Sequence, residues 1–250
     1  MAYVCPRMYA LSRLHQEPIK RTVDADLAWI FGTGTAIHTH WQNDYLLTLG
    51  DVFQGWWDSE DGLQARGERL DGPLLHKWIP SPGPGFQYVE LEFTEPRLRL
   101  TGHCDGILCW PDEDPEVLEL KTISNRGFDY VNSLDGFMPR AEHVLQVHAY
   151  LLFTGLERAR LVYISKDLNK SMMEGISEHV VMRDDRIIHL ISEMLEKCIS
   201  VLDHPIKNLT PVETQSWVES LARLPECETK KSRRAINCAM KGYCFQGDLS

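Results

Sequence analysis

Residues 102–122, GHCDGILCWPDEDPEVLELKT, decide how this chain reads. Two extended runs, Thr101 to Cys109 and Val117 to Thr122, flank Trp110-Pro111-Asp112-Glu113-Asp114-Pro115, whose proline and aspartate content is turn chemistry. The stretch is therefore a β-hairpin. Side chains two apart on a strand share a face, so Glu119 and Lys121 point one way and Leu118 and Leu120 the other. Folding back about Asp112 sets Asp105 opposite Glu119, and two carboxylates and an ammonium converge on one patch. Like charges held together favour a hard divalent cation between them, and a lysine beside such a site can orient a water or stabilise charge on a phosphate. A solvated hairpin face is the competing reading of the same residues.

The rest of the chain bounds the answer. Its 250 residues suffice for one large domain with an accessory segment. With 26 Lys and Arg against 36 Asp and Glu, the formal charge of −10 excludes a protein that coats nucleic acid by bulk electrostatics, so any such contact must be local. The start MAYVCPRMYALSRLH lacks the apolar core of a signal peptide, and no run approaches the roughly 18 apolar residues of a membrane span. A soluble, cytoplasmic protein is expected. Seven cysteines without an export signal argue against a disulfide framework and toward metal binding or buried thiols. Cys5 stands near one end and Cys227, Cys238 and Cys244 near the other, while Cys104, Cys109 and Cys198 read as small core residues.

In chain order, a first helix runs from Pro6 through Met8, Leu11 and Leu14. Gly32-Thr33-Gly34-Thr35 opens a second, Ala36 to Leu49, with Gly34, His38 and Gln42 on one face. A lone helical histidine is more often structural than a ligand. Residues 50–87 read as an insertion whose paired Trp56 and Trp57 either pack it onto the domain or stack on unpaired bases, and no element should cross 80–85. A continuous strand follows, with Val89, Leu91 and Phe93 alternating with polar residues. After the hairpin come a polar connection, a helix from Pro139 through Tyr150 to Phe153 with Gln146 and Tyr150 one turn apart, strands Arg160 to Ser165 and Ile176 to Met182, and an amphipathic helix Asp184 to Leu202. The economical solution is an α/β fold, a mixed sheet flanked by helices. The boundaries expected are a helical segment 1–29, a core 30–203 and a cysteine-bearing segment 204–250.

Gly34-xxx-His38, Gly102-His103-Cys104-Asp105-Gly106, Glu119-Leu120-Lys121 and Gln146-xxx-Tyr150, in that order, resemble the RecB-like branch of the PD-(D/E)xK nuclease superfamily. The resemblance implies a restriction-endonuclease-like core in which Asp105, Glu119 and Lys121 are catalytic. His38, Asp105, Glu119 and the Leu120 carbonyl would hold Mg²⁺ or Mn²⁺, with Gln146 and Tyr150 beside the metal site. Cys5-Pro6-Arg7-Met8-Tyr9 with Cys238-xxxxx-Cys244 resembles the iron-sulfur subgroup of the CRISPR-associated RecB-like exonucleases and AddAB-type helicase-nucleases. There, one N-terminal and three C-terminal cysteines bind a [4Fe-4S] cluster, with Zn²⁺ the other ion four thiolates would take. The subgroup's usual cysteine three residues before Cys238 is Ala235 here, and Cys227 is the nearest substitute, on a loop 228–237 that would have to fold back. Lys230, Lys231, Arg233, Arg234 and Lys241, with Lys20-Arg21 and Arg97-Arg99, are either solvated faces or a track for a DNA strand. The activity implied is a DNA exonuclease acting on linear or single-stranded ends, of phage or prokaryotic recombination, repair or CRISPR adaptation, with a helicase, recombinase or CRISPR adaptation protein as partner. A nicking or structure-specific endonuclease and a non-catalytic DNA-end-binding module are the alternatives.

Overall fold

The computed structural model describes residues 5–16, 25–133, 138–166, 171, 174–205, 208–221, 227, 231, 238 and 240–244. Lys20, Arg21, Lys230, Arg233, Arg234, Ala235 and most of the 228–237 loop lie outside these. In chain order the elements are α1 (Pro6–His15), α2 (Ala25–His40), a π turn (Trp41–Tyr45) and a 3-10 segment (Leu46–Val52). Next come β1 (Phe53–Ser59), β2 (Gln64–Ala65), β3 (Ile79–Pro80), β4 (Phe86–Val89), β5 (Leu91–Glu95), β6 (Leu100–Cys104), β7 (Gly106–Leu108) and β8 (Glu116–Ile123). The chain continues through α3 (Asn125–Val131), α4 (Ala141–Thr154), β9 (Arg158–Ser165), β10 (Ile176–Met182), α5 (Asp185–Asp203), α6 (Pro211–Ser220) and α7 (Lys241–Cys244). No helix among the described residues is long and apolar enough to cross a membrane.

Two compact units emerge, one spanning Ala25–Ile188 and one drawing on residues before Ala25 and after Ile188. The first is a mixed sheet in the order β10-β9-β8-β7-β1-β2, with β3 and β4 also on β1 and β5-β6 as a separate hairpin. β8 and β9 run parallel, which requires a crossover, and α3 and α4 supply it. Leu118 and Leu120 join Phe53, Trp57, Val162 and Ile164 in a buried cluster on one face of the sheet. Glu119 and Lys121 therefore take the other face, the one α4 covers.

Several elements depart from the sequence expectation. α2 begins at Ala25 rather than Ala36, and Gly32 and Gly34 lie inside it. Gly34 is needed for close approach: a Cβ there would stand 3.1 Å from Thr122 Oγ1 on β8. The strand expected through Tyr88 to Thr94 breaks at Glu90, because β4 pairs with β1 whereas β5 pairs with β6, and period-2 alternation carries no sign of a change of partner. Trp56 and Trp57 lie on β1, a strand of the main sheet and not a separate insertion, and are buried with their Nε1–H donated to the Lys77 and Ile79 carbonyls, so they offer no stacking platform. The short α3, capped by Ser124, falls in what read as a plain connection. α6 opens on a capping box, Thr210-Pro211-Val212-Glu213.

The least expected core feature is Glu116, fully buried at the start of β8. Its Oε1 accepts from Arg160 Nε at 2.7 Å and Trp110 Nε1 at 3.0 Å, and Arg158 Nε stands 3.4 Å from Oε2. Glu116→Ala removes the anion that two guanidiniums share. Both arginine side chains are 23% exposed and keep some water, so the cost expected from denaturant unfolding is about 3 kcal/mol, the low end for a broken buried pair.

In the second unit Ala10 and Leu11 of α1 pack with Val201, Val218 and Met240, flanked by Cys238 and Cys244. Arg7 Nη1 donates to the Leu221 carbonyl at 3.1 Å, and Arg13 caps the end of α5 through the Val201 and His204 carbonyls.

Candidate active site

β7 pairs with β8 only as far as Gly106↔Leu118, while β8 continues to Ile123 against β9. The two strands part there, leaving a fork. Asp105 is the bend at its apex, between β6 and β7. Continuing the observed register by one residue sets Asp105 level with Glu119, as the hairpin reading expected. Gly106 enables the bend: its φ is +153°, and a Cβ would meet the Phe53 ring at 2.5 Å. Gly106→Ala is expected to lose about 2 kcal/mol of stability, read by thermal or denaturant unfolding, and to swing Asp105 out of the fork.

Asp105 is 5% exposed and fully engaged. Its Oδ2 accepts the Leu120 N–H at 2.8 Å, and its Oδ1 accepts Gln42 Nε2 at 3.0 Å and lies 3.2 Å from His38 Nδ1. His38 and Gln42 thus reach the apex from α2 and the π turn that continues it. Within a strand the N–H and C=O of one residue face the same neighbour, so the Leu120 carbonyl also faces the fork. Glu119, 3% exposed, is paired with Lys121 Nζ. From α4, Gln146 Nε2 donates to the Tyr150 hydroxyl at 2.5 Å, and Tyr150 packs edge-on to Phe93. The residues singled out around Asp105 and Glu119 are brought together.

The electrostatics describe an anionic pocket. Burial and the Asp105 charge push Glu119 well above the usual carboxylate range, against the pull of Lys121. Burial and the Glu119 charge push the Tyr150 hydroxyl up as well, which puts that phenol near the carboxylate. Glu90, which sequence reading missed, sits where β4 hands over to β5. Burial and then Asp105 raise its carboxyl, while Gln42, His103 and His38 pull the other way. Its signal was the break itself, visible only once strand partners are known.

His143 was also missed. It precedes Gln146 by three residues and Tyr150 by seven, on the same face of α4. Its Nδ1 lies 2.8 Å from the Tyr163 hydroxyl, and burial, with Lys121 and Arg140 nearby, pushes it down to about 3.

Among the described residues no three His, Cys, Asp or Glu side chains are arranged as a ready metal group. The donor chemistry nevertheless suits a hard divalent cation: Asp105, Glu119 and the Leu120 carbonyl offer oxygens at one apex, and the mutual repulsion recorded at Glu119 and Glu90 is what such an ion relieves. Three of the four cysteines singled out near the two ends of the sequence lie close together. Cys238 and Cys244 stand close enough to raise the Cys5 thiol beyond what burial does, and Cys198 feels Cys5. Cys227 is buried, and no disulfide joins any of the seven cysteines.

No family model matches the chain, and no curated protein matches it in sequence. Solved structures similar to it include the alkaline exonuclease LHK-Exo from Laribacter hongkongensis, at 14% identity over 88% of this chain and 91% of that one with a TM-score of 0.39. The same exonuclease in complex with dAMP gives 16% identity over the same shares and a TM-score of 0.41. A phage-related exonuclease from Haemophilus somnus is similar at 10% identity over 82% of each chain, with a TM-score of 0.41.

Proposed function

We propose that this chain is a divalent-metal-dependent deoxyribonuclease that digests linear or single-stranded DNA from an end. The observation that carries the reading is the fork itself: Asp105, Glu119 and Lys121 meet at one apex, with His38 and Gln42 on one side and Gln146 and Tyr150 on the other. Asp105, Glu119, the Leu120 carbonyl and His38 would hold Mg²⁺ or Mn²⁺. A cation bound there polarises the scissile phosphate and lowers the pKa of an attacking water.

The chain's own residues do the rest. Asp105 keeps its carboxylate aimed because the Leu120 N–H and Gln42 fix both of its oxygens. Lys121, paired with Glu119, can orient the nucleophilic water or neutralise charge growing on the phosphate. The Tyr150 hydroxyl accepts from Gln146, which leaves its own proton free to donate toward Glu119 or a backbone phosphate. Cys5, Cys227, Cys238 and Cys244 are proposed as [4Fe-4S] ligands, with Zn²⁺ the alternative. Brown protein after anaerobic purification supports the cluster; colourless protein with stoichiometric zinc replaces it without touching the nuclease reading.

The test compares linear and covalently closed circular DNA with Mg²⁺ or Mn²⁺. Loss of linear DNA with intact circles is expected. Nicking of circles turns the reading to an endonuclease on the same fork, and binding to ends without any turnover turns it to an assembly module.

A further inference from the structure

Tyr163 is fully buried on β9, directly beside Lys121 in the parallel register, and its hydroxyl has two neighbours. The Arg140 backbone N–H donates to it at 3.0 Å, and His143 Nδ1 lies 2.8 Å away. A phenol carries one proton. The Arg140 N–H can only donate, so of these two neighbours His143 alone can accept the buried phenol's proton; that makes Nδ1 the acceptor and puts the ring's own hydrogen on Nε2. The lone pair that could have taken a hydrogen bond from Lys121 is therefore already used. His143 and Lys121, from α4 and β8 and close enough for the ammonium to act on the imidazole, are then two donors that cannot bond to each other, and an acceptor placed between them would engage both while Lys121 keeps its pairing with Glu119.

We propose that His143 is a substrate-binding residue: its Nε2–H and the Lys121 ammonium together clamp a non-bridging oxygen of the DNA phosphate at the fork. The idea rests on the nuclease reading and deepens it. The ring belongs to the α4 face that carries Gln146 and Tyr150, so the clamp lies along the Glu119–Lys121 side of β8, where a phosphate engaged by Lys121 must be. A neutral donor suits the place, since a second cation beside Lys121 would compete with it for Glu119. The same reasoning gives Tyr163 a positioning role, holding one tautomer.

Two substitutions separate this from a structural part. The amide of asparagine overlays Nδ1 and can keep the Tyr163 contact, whereas that of glutamine overlays Nε2 and can keep the outward N–H. For a linear oligonucleotide binding in EDTA, with turnover off, His143→Asn is expected to weaken affinity roughly tenfold or more and His143→Gln by no more than about threefold, since a hydrogen bond to a charged acceptor is among the stronger ones. His143→Asn is expected to keep the unfolding midpoint of the parent, whereas His143→Gln, which gives up the buried Tyr163 contact, is expected to lower it while keeping affinity. In ¹⁵N-histidine NMR of the free protein, His143 should be a single Nε2–H tautomer between about pH 6 and 8, and Tyr163→Phe should mix the tautomers. An Nδ1–H or charged ring, or an asparagine variant that binds like the parent, overturns the clamp while leaving the nuclease reading standing. If the parent neither binds linear DNA nor digests it with Mg²⁺ or Mn²⁺, both fall together; digestion without binding in EDTA overturns the clamp alone.

Discussion

Lys121→Ala is expected to reduce turnover roughly 10²- to 10³-fold, the scale for removing one preorganised donor to a developing charge. The side chain is paired with Glu119, whose carboxyl is already raised by burial and by Asp105. Without the ammonium, Glu119 holds its proton to still higher pH. The fold then tolerates the change, because the buried acid simply stays neutral, but the affinity for a divalent cation falls. Single-turnover digestion of linear DNA, Mn²⁺ titration and DNA binding distinguish the effects: rate and metal affinity drop together, while binding in EDTA weakens only by the loss of one phosphate contact. Unchanged turnover would remove Lys121 from the chemistry.

Asp105→Asn is expected to abolish both digestion and stabilisation by cations. The sign follows from the direction of the Glu119 shift. A carboxyl whose folded pKa is raised contributes stability below its unfolded pKa, and that contribution disappears as pH rises toward the folded value. At neutral pH the parent is thus held below its best stability by two acids that repel, and Mg²⁺ or Mn²⁺ should reverse this. A cation at a hundred times its Kd adds about 2.7 kcal/mol, a rise of several degrees in the unfolding midpoint. Asparagine removes one of the repelling charges, so the variant without cation is expected to unfold no earlier than the parent as pH increases, and added cation should no longer raise the midpoint. Calorimetric or fluorescence melts with Mn²⁺ and with EDTA read both effects. An equal rise in parent and variant would put the ion elsewhere.

The hairpin and its register were legible because Leu118 and Leu120 are apolar, Glu119 and Lys121 are charged, and the turn is rich in proline and aspartate. His38 was legible only through its spacing from Gly34, since nothing local separates it from a structural histidine until the Asp105 contact is seen. α4, β9, β10 and α5 announced themselves by period. The early start of α2 was hidden because Trp29-Ile30-Phe31 is apolar without a helical stripe and two glycines follow. Glu90 and His143 were invisible for a different reason: each matters through a partner distant in sequence, Asp105 for one and Tyr163 for the other.

The second unit has a consequence for biogenesis. α1 is synthesised before the sheet, yet its buried apolar partners are Val201, Val218 and Met240, and its tie from Arg7 to Leu221 spans 214 positions. On the ribosome Ala10 and Leu11 wait uncovered while the whole sheet is made, so closure of this unit is a late, high-contact-order event. Nascent chains stalled before Val201 should hold the sheet folded and α1 open to protease.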